Sequence, residues 1–164
     1  MSSQHKAVFF VLGASATALL SAAIFQFGFG YKPCVLCQLQ QGIFAVSLCL
    51  SLTFLYTGLP SRWIMLSLIA TLLSGAGVAF YQVLVEQGIV PLPSFCKPAV
   101  RITSAHDLLA QLTPLSPSCA KPAWSFIGLS MAAWNMLYSC ALLNILLFSL
   151  RPSPQIKRNR APDA

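Results

Sequence analysis

Four long apolar runs, none of which contains Asp, Glu, Lys or Arg, dominate this sequence. A helix rises about 1.5 Å per residue, so roughly 20 apolar residues cross the hydrocarbon core of a bilayer. The chain is 57% hydrophobic and 8% charged, whereas soluble domains carry about 25% charged residues. The sequence therefore predicts an all-α membrane protein, a single domain over residues 1–164. Its four transmembrane helices should span about 8–30, 39–57, 63–85 and 127–150.

The first run could also belong to a cleaved signal peptide. His5 and Lys6 precede it, and the small residues of Ser21–Ala23 resemble a cleavage site. However, the run continues through the sequence IFQFGFG and exceeds the roughly 7–15 apolar residues of a signal peptide. We therefore expect the first helix to stay in the protein.

The basic residues indicate how the helices are oriented. An even number of spans places both termini on one side, and that side holds six of the ten basic residues in its shorter segments, namely Lys6, Arg62, Arg151, Lys157, Arg158 and Arg160. Cytoplasmic loops are enriched in Lys and Arg, so we expect cytoplasmic N- and C-termini. The net charge of +7 does not indicate a nucleic-acid partner, because the basic residues lie at helix ends and in the tail 151–164.

A long polar segment, about 86–126, separates the third and fourth runs and contains six of the eleven prolines. Proline removes a backbone donor and breaks helices, so the segment cannot be one regular element. We expect an extracytoplasmic loop, on the same side as the shorter loop 31–38. Within it, Ser104 and Asp107 form a capping-box pattern, and leucines at helical spacing follow. This pattern predicts a short amphipathic helix over 104–112 that lies on the membrane surface.

Cys34 and Cys37 form a CxxC motif at the start of the second run, directly after Pro33. The first turn of a helix presents unpaired amides and the positive end of the helix dipole, which favour a thiolate and hence thiol–disulfide exchange. A CxxC motif is also half of many zinc sites. The chain has no second CxxC or His pair to complete such a site, so we expect no metal.

The remaining four cysteines lie in two settings. Cys96 and Cys119 lie in the long loop, where they could be a structural staple or a second exchangeable pair. A staple does not explain a second dithiol at the same membrane surface, and two exchangeable pairs would make a relay from a soluble protein to a membrane-soluble electron acceptor. Cys49 and Cys140 lie within helices, where we expect small apolar packing residues.

Three segments resemble the DsbB family of bacterial disulfide bond formation proteins. They are PCVLC at 33–37, PLPSFC leading to Cys96, and CAKPAWSFIGLSMAAWN at 119–135. In the third, Cys119, Trp124, Phe126 and the GLS at 128–130 match the family at the same spacing. With the four-helix topology, the resemblance covers about 8–150. It implies a multi-pass thiol oxidase of the bacterial inner membrane that supports disulfide bond formation in periplasmic proteins.

The resemblance also implies catalytic roles for Cys34, Cys37, Cys96 and Cys119. Cys96 and Cys119 would form the disulfide that oxidises a DsbA-type periplasmic thiol oxidase. Cys96 would form the mixed disulfide with this partner, and Cys119 would then exchange with the motif pair. Electrons would pass to Cys34 and Cys37 and then to a membrane quinone, ubiquinone or menaquinone. Cys34 would exchange with the loop, and Cys37 would face the quinone.

The sequence departs from the family pattern in two places. The family usually carries arginine at the fourth residue after the second motif cysteine, where this chain has Gln41, and commonly an Arg-His pair where it has Tyr81 and Gln82. We expect Gln41 and Gln82 to lie near the quinone. A cation there would stabilise developing negative charge. Its absence is compatible with slower quinone reduction, a different quinone, or a specialised paralogue with a dedicated partner.

Two other classes of protein share some of these features. A non-enzymatic membrane protein could use the cysteines as structural disulfides or as a metal site. An enzyme of the vitamin K epoxide reductase type also combines a helical bundle with CxxC and loop cysteines, but there the motif follows the loop pair. Here the motif precedes it.

Overall fold

The structure is a computed structural model that describes residues 3–57, 62–96, 119–120, 122 and 124–150. It contains four long helices: α1 (Ser3–Ala23), which continues into a π-helical turn (Ile24–Gly28), α2 (Val35–Thr57), α3 (Arg62–Glu86) and α4 (Met131–Ser149). All four are long and apolar enough to cross a membrane, so the predicted fold class is confirmed. The predicted amphipathic helix over 104–112 and the basic tail 151–164 lie outside the described residues.

α1 begins five residues before its predicted start at 8 and α2 four residues before its predicted start at 39, and the start of α4 differs as well. The predicted start at 127 is four residues too early, because a small hairpin precedes the helix. Its strands, β1 (Ser125–Phe126) and β2 (Leu129–Ser130), pair in antiparallel register around a turn with positive φ angles at residues 127 and 128. Ser130 then begins α4, because its side chain accepts the backbone N–H of Ala133 at 3.2 Å.

The four helices close into a bundle in which each packs mainly on two neighbours. α1 packs on α2 and α4, and α3 packs on the same two helices. The core consists of fully buried apolar side chains, among them Val8, Val11, Phe54, Leu68, Leu72, Leu142 and Leu146. Large apolar side chains also cover the outside of the bundle, where lipid would surround them.

Cys49 and Cys140 lie on this outer face. Both side chains are exposed, so the prediction that they pack between helices is wrong. Each of these cysteines lies in an apolar helix. In such a helix the sequence alone does not show whether a side chain faces lipid or a neighbouring helix. Both are separated from the other four cysteines, which gather at one end of the bundle, called here the cysteine end.

α3 approaches its neighbours closely at Gly75. A Cβ atom at this position would lie 3.1 Å from Cγ2 of Ile43 on α2 and 3.5 Å from Oγ of Ser139 on α4. Glycine thus lets the backbone of α3 come near both helices, as small residues do in membrane bundles. This approach brings the next turns of α2, α3 and α4, toward the cysteine end, within hydrogen-bonding distance of one another.

Candidate active site

Two cysteine pairs meet at the cysteine end of the bundle. Cys34 directly precedes α2 and Cys37 lies in its first turn, and both are free thiols. Cys96 ends a short 3-10 helix (Ser94–Cys96), and its sulfur is bonded to that of Cys119 with a Cα–Cα distance of 5.8 Å. The structure thus contains one dithiol and one disulfide, in the pairing that the resemblance implies.

The disulfide is buried against the dithiol. The exposed fractions are 5% for Cys96, 2% for Cys119 and 7% for Cys34, and all three belong to one apolar cluster with Leu36 and Val85. Because Leu36 belongs to α2 and Val85 to α3, the disulfide itself is docked onto the ends of these helices. The cluster therefore brings the two pairs together but shields the disulfide from solvent.

Cys34 occupies the N-cap position of α2. Its Sγ accepts the backbone N–H of Cys37 at 3.2 Å, a place usually taken by a side-chain oxygen. The hydrogen bond to the Cys37 side chain, followed by burial, raises the pKa of the Cys34 thiol, and these effects exceed the opposing effect of the backbone N–H groups. A thiolate at Cys34 itself is therefore disfavoured, and the expected thiolate of the motif stays a prediction for Cys37.

Gln82 lies beside both sulfurs of the dithiol. Its Nε2 is 3.6 Å from Sγ of Cys37 and 3.8 Å from Sγ of Cys34, and it also donates to Oε1 of Glu86 at 3.3 Å. Gln82 is buried, with an exposed fraction of 4%. The amide thus directs N–H groups at the sulfurs from the position where the family commonly carries a cationic pair.

Two further amides extend this contact across the bundle. Nε2 of Gln40 donates to Oε1 of Gln82 at 3.0 Å, and Nδ2 of Asn135 donates to Oε1 of Gln40. The sequence interpretation missed Gln40 and Asn135. A signal was present for Gln40, since it follows Cys37 by three residues and so lies on the same helix face. Asn135 is a polar residue in an apolar run, and nothing in the sequence pairs it with α2.

A cavity of about 270 Å³ opens beside Cys37 between α1, α2 and α4. Its polar lining includes Gln40, Gln41, Gln82 and Asn135, and its apolar lining includes Ala18, Ala22, Phe44 and Tyr138. Gln41 is half-buried, and its amide makes no hydrogen bond to any other part of the chain that the structure describes. Cys37 therefore stands between a cavity with amide groups and the cluster that holds the loop disulfide.

Comparison with known proteins identifies the family. The sequence model of disulfide bond formation protein DsbB matches residues 4–149. The chain belongs to the DsbB family. It is 28% identical over 174 residues to disulfide bond formation protein B of Histophilus somni, an alignment that covers 96% of this chain and 93% of that protein. It is 30% identical to the protein of the same name from Xylella fastidiosa, covering 80% and 82%.

A third relative is the uncharacterized protein RP370 of Rickettsia prowazekii, which is 31% identical over 80% of this chain and 79% of that protein. Membership of the DsbB family makes this chain a multi-pass inner-membrane protein and a disulfide oxidoreductase that acts in disulfide bond formation. A membrane thiol oxidase needs exchangeable sulfurs at the membrane surface. The four cysteines at the cysteine end are the candidates for this role.

Proposed function

We propose that this DsbB-family protein reoxidises a DsbA-type periplasmic dithiol protein and passes the electrons to a membrane quinone. The cysteine end then faces the periplasm, and both termini face the cytoplasm. One observation carries the proposal: the loop disulfide and the dithiol share a buried cluster, while Cys37 also lines the cavity. This arrangement connects a protein-facing pair to a membrane-facing site through one buried cluster.

The first exchange takes place on the loop. A thiolate of the partner attacks Sγ of Cys96, so that a partner–Cys96 disulfide forms and Cys119 leaves as a thiolate. Cys119 next attacks Sγ of Cys34 in an oxidised Cys34–Cys37 pair, and Cys37 leaves as a thiolate. Each step forms one S–S bond and breaks one, so the number of disulfides is unchanged.

The second exchange releases the oxidised partner. The partner's other thiolate attacks its own mixed disulfide and displaces Cys96, which attacks Sγ of Cys119 and frees Cys34. The two protons of the partner's dithiol end on Cys34 and Cys37, and the Cys96–Cys119 disulfide forms again. The redox state of the structure, with a loop disulfide and a free dithiol, corresponds to this point of the cycle.

The cavity fits a quinone head group in its chemistry. Its walls are mostly apolar, and it offers the Gln41 amide, which has no partner among the described residues, as a donor for a carbonyl oxygen. Its volume of about 270 Å³ is near the lower end of the roughly 300–1,000 Å³ of ligand pockets. A bound quinone supplies an acceptor for two electrons and two protons, which returns Cys34 and Cys37 to the disulfide. Gln41 and Gln82 would hold and orient it beside Cys37.

The test uses purified protein and a reduced DsbA-type protein, with quinone reduction followed by absorbance. Cys→Ala variants at Cys34, Cys37, Cys96 and Cys119 should each abolish turnover. Cys49→Ala and Cys140→Ala are matched controls, because both side chains lie on the outer face of the bundle, and they should retain the wild-type rate. Trapping of the partner on Cys96 in the Cys119→Ala variant would support the order of exchange.

Turnover that survives replacement of Cys96 or Cys119 would make this disulfide a staple and would remove the loop from the relay. The absence of quinone reduction with any thiol supply, in protein whose fold is intact, would contradict the proposal as a whole. Loss of bound metal and of the fold on chelation would instead indicate a metal site.

A further inference from the structure

The hydrogen-bonded amides at the cysteine end have a defined direction. Glu86, when ionised, can only accept hydrogen bonds, so the neighbouring atom of Gln82 must be the donor Nε2. Oε1 of Gln82 therefore faces Gln40, and that oxygen needs a donor, which is Nε2 of Gln40. Oε1 of Gln40 in turn accepts from Nδ2 of Asn135. Reversal of any one amide would place two donors or two acceptors against each other.

This direction determines which atom of Gln82 faces the sulfurs of Cys34 and Cys37. Nε2 of Gln82 lies 3.6 Å from Sγ of Cys37 and 3.8 Å from Sγ of Cys34. A reversed amide would present its oxygen there and would repel a thiolate. N–H groups stabilise negative charge on an acceptor, and they do so more strongly in a low dielectric than in water. Asn135 lies on α4 and contacts Gln40, not the sulfurs, among the described residues, yet it is the residue at which the series of amides begins.

The charged and titratable groups around the dithiol do not replace this donor. Among the described residues that pack near it, α3 contributes Glu86 and Tyr81, and α4 contributes Tyr138 through the cavity. α1 contributes Thr17 and small apolar residues to the same cavity. None of these side chains is a cation. Apart from the contact between the two thiols themselves, the Gln82 amide is therefore the side-chain donor toward the sulfurs among the described residues.

We propose that Asn135 and Gln40 are positioning residues, which hold the N–H groups of Gln82 on the sulfurs of Cys34 and Cys37. The inference rests on the proposed function, because it takes these two cysteines as the redox pair. Asn135 anchors Gln40 from α4, Gln40 orients Gln82 from α2, and Gln82 alone touches the sulfurs. Three neutral amides on three helices thus perform part of the electrostatic role that a cation could perform.

The experiment measures how fast iodoacetamide alkylates the dithiol at a series of pH values. The full-length protein carries Cys49→Ser and Cys140→Ser, so that its free thiols are Cys34 and Cys37, and the Cys96–Cys119 disulfide stays in place. Asn135→Leu, Gln40→Met and Gln82→Met each remove one amide while they preserve the approximate volume. Each variant should slow alkylation at pH 7 about tenfold, which corresponds to an upward shift of about one pH unit in the profile.

Two comparisons separate positioning from a general structural effect. Asn144→Leu on the same helix is the matched control, because Asn144 is exposed and donates, among the described residues, to the carbonyl of residue 140 one turn earlier. It should leave the pH profile unchanged. In a Gln82→Met background, Asn135→Leu should have no further effect, because the contact through which it acts is gone. Gln40→Met interrupts the same series from another helix, so the test does not depend on the folding of one variant.

A pH profile of Asn135→Leu equal to that of Asn144→Leu would overturn the inference. Equal slowing by Asn135→Leu with and without Gln82 would also overturn it, since the effect would then be independent of the amides. Alkylation requires neither quinone nor partner. A protein that fails to reduce quinone but shows the predicted profiles would therefore contradict the proposed function and leave the positioning role intact as a property of the dithiol.

Discussion

Sγ of Cys34 accepts the backbone N–H of Cys37 at 3.2 Å, so one sulfur of the dithiol is also the N-cap of α2. The bond satisfies one of the amides that a helix start leaves unpaired. Formation of a Cys34–Cys37 disulfide changes the sulfur that makes this contact, which links the redox state of the pair to the first turn of the helix. Substitutions at Cys34 can therefore separate its redox chemistry from its contribution to the stability of α2.

Cys34→Ser and Cys34→Ala should both abolish thiol oxidation but should differ in stability. Serine keeps a capping oxygen at the N-cap, whereas alanine leaves the N–H of Cys37 without a side-chain acceptor. Loss of an N-cap costs about 1 kcal/mol, so Cys34→Ala should lower the free energy of unfolding by about this amount relative to Cys34→Ser. Denaturant unfolding of both variants in detergent measures the difference. Equal stability would show that the sulfur contact contributes nothing as a cap.

The raised pKa of Cys34 gives a prediction about pH. The hydrogen bond to the Cys37 side chain is its first cause and burial the second, so less Cys34 is thiolate at pH 8 than in an unfolded chain. Cys37→Ala removes the first cause, which should lower the pKa of Cys34 and speed its alkylation at pH 8 by roughly three- to tenfold. Mass spectrometry of iodoacetamide-treated protein gives the rate.

Cys37→Ser serves as the control for that experiment, because its hydroxyl keeps a hydrogen-bonding group next to Cys34. Alkylation of Cys34 should speed up less in this variant than in Cys37→Ala. If Cys37→Ala leaves the rate of Cys34 alkylation unchanged, burial and not the contact with Cys37 is the main cause of the raised pKa.

The fold was largely predictable from the sequence, and the geometry of the site was not. Four uncharged apolar runs indicate four membrane helices, because a single segment in hydrocarbon can pair its backbone N–H and C=O groups only within its own helix. The start of α4 was less clear, since Ile127 and Leu129 are as apolar as a helix interior although they belong to the hairpin. The hydrogen bond that Ser130 makes as N-cap sets that boundary, and the apolar pattern of the sequence does not reveal this bond.

The amides show a second limit of sequence reasoning. The family pattern predicts Gln82 near the quinone, and the structure places it in the wall of the cavity and also beside the sulfurs, which the pattern does not predict. Gln40 and Asn135 are 95 residues apart in the chain, and only the packing of α2 against α4 brings them together. Pairing between polar residues on different membrane helices depends on helix rotation, which four nearly uniform apolar runs leave undetermined.

Because the Cys96–Cys119 disulfide is buried, we expect that it must move away from the ends of α2 and α3 before a reductant can attack it. Val85→Ala removes apolar contact from the cluster that holds Cys96 and Cys119 and should weaken docking by about 1 kcal/mol. A soluble reductant should then reduce the disulfide about fivefold faster. Gel-shift detection of the released thiols follows the reaction over time.

Val83→Ala is the matched control for Val85→Ala. Val83 is half-buried on the same helix but does not belong to the cluster around the disulfide, so its replacement should leave the rate of reduction unchanged. If both variants behave like the wild type, the reductant reaches the disulfide while the loop stays docked, and burial does not limit the attack.

Gln41→Arg tests whether a missing cation limits quinone turnover. Gln41 lines the cavity beside Cys37 and has an amide without a partner among the described residues, so an arginine there would place a positive charge where negative charge develops during reduction. Such a charge is most effective in a water-poor site. We expect quinone reduction about tenfold faster, equivalent to about 1.4 kcal/mol in the barrier. Gln38→Arg, on the same helix but exposed, adds the same charge away from the cavity and should have little effect. An equal gain in both variants would assign the effect to net charge, and no gain at Gln41 would mean that the amides already meet the electrostatic need of the site.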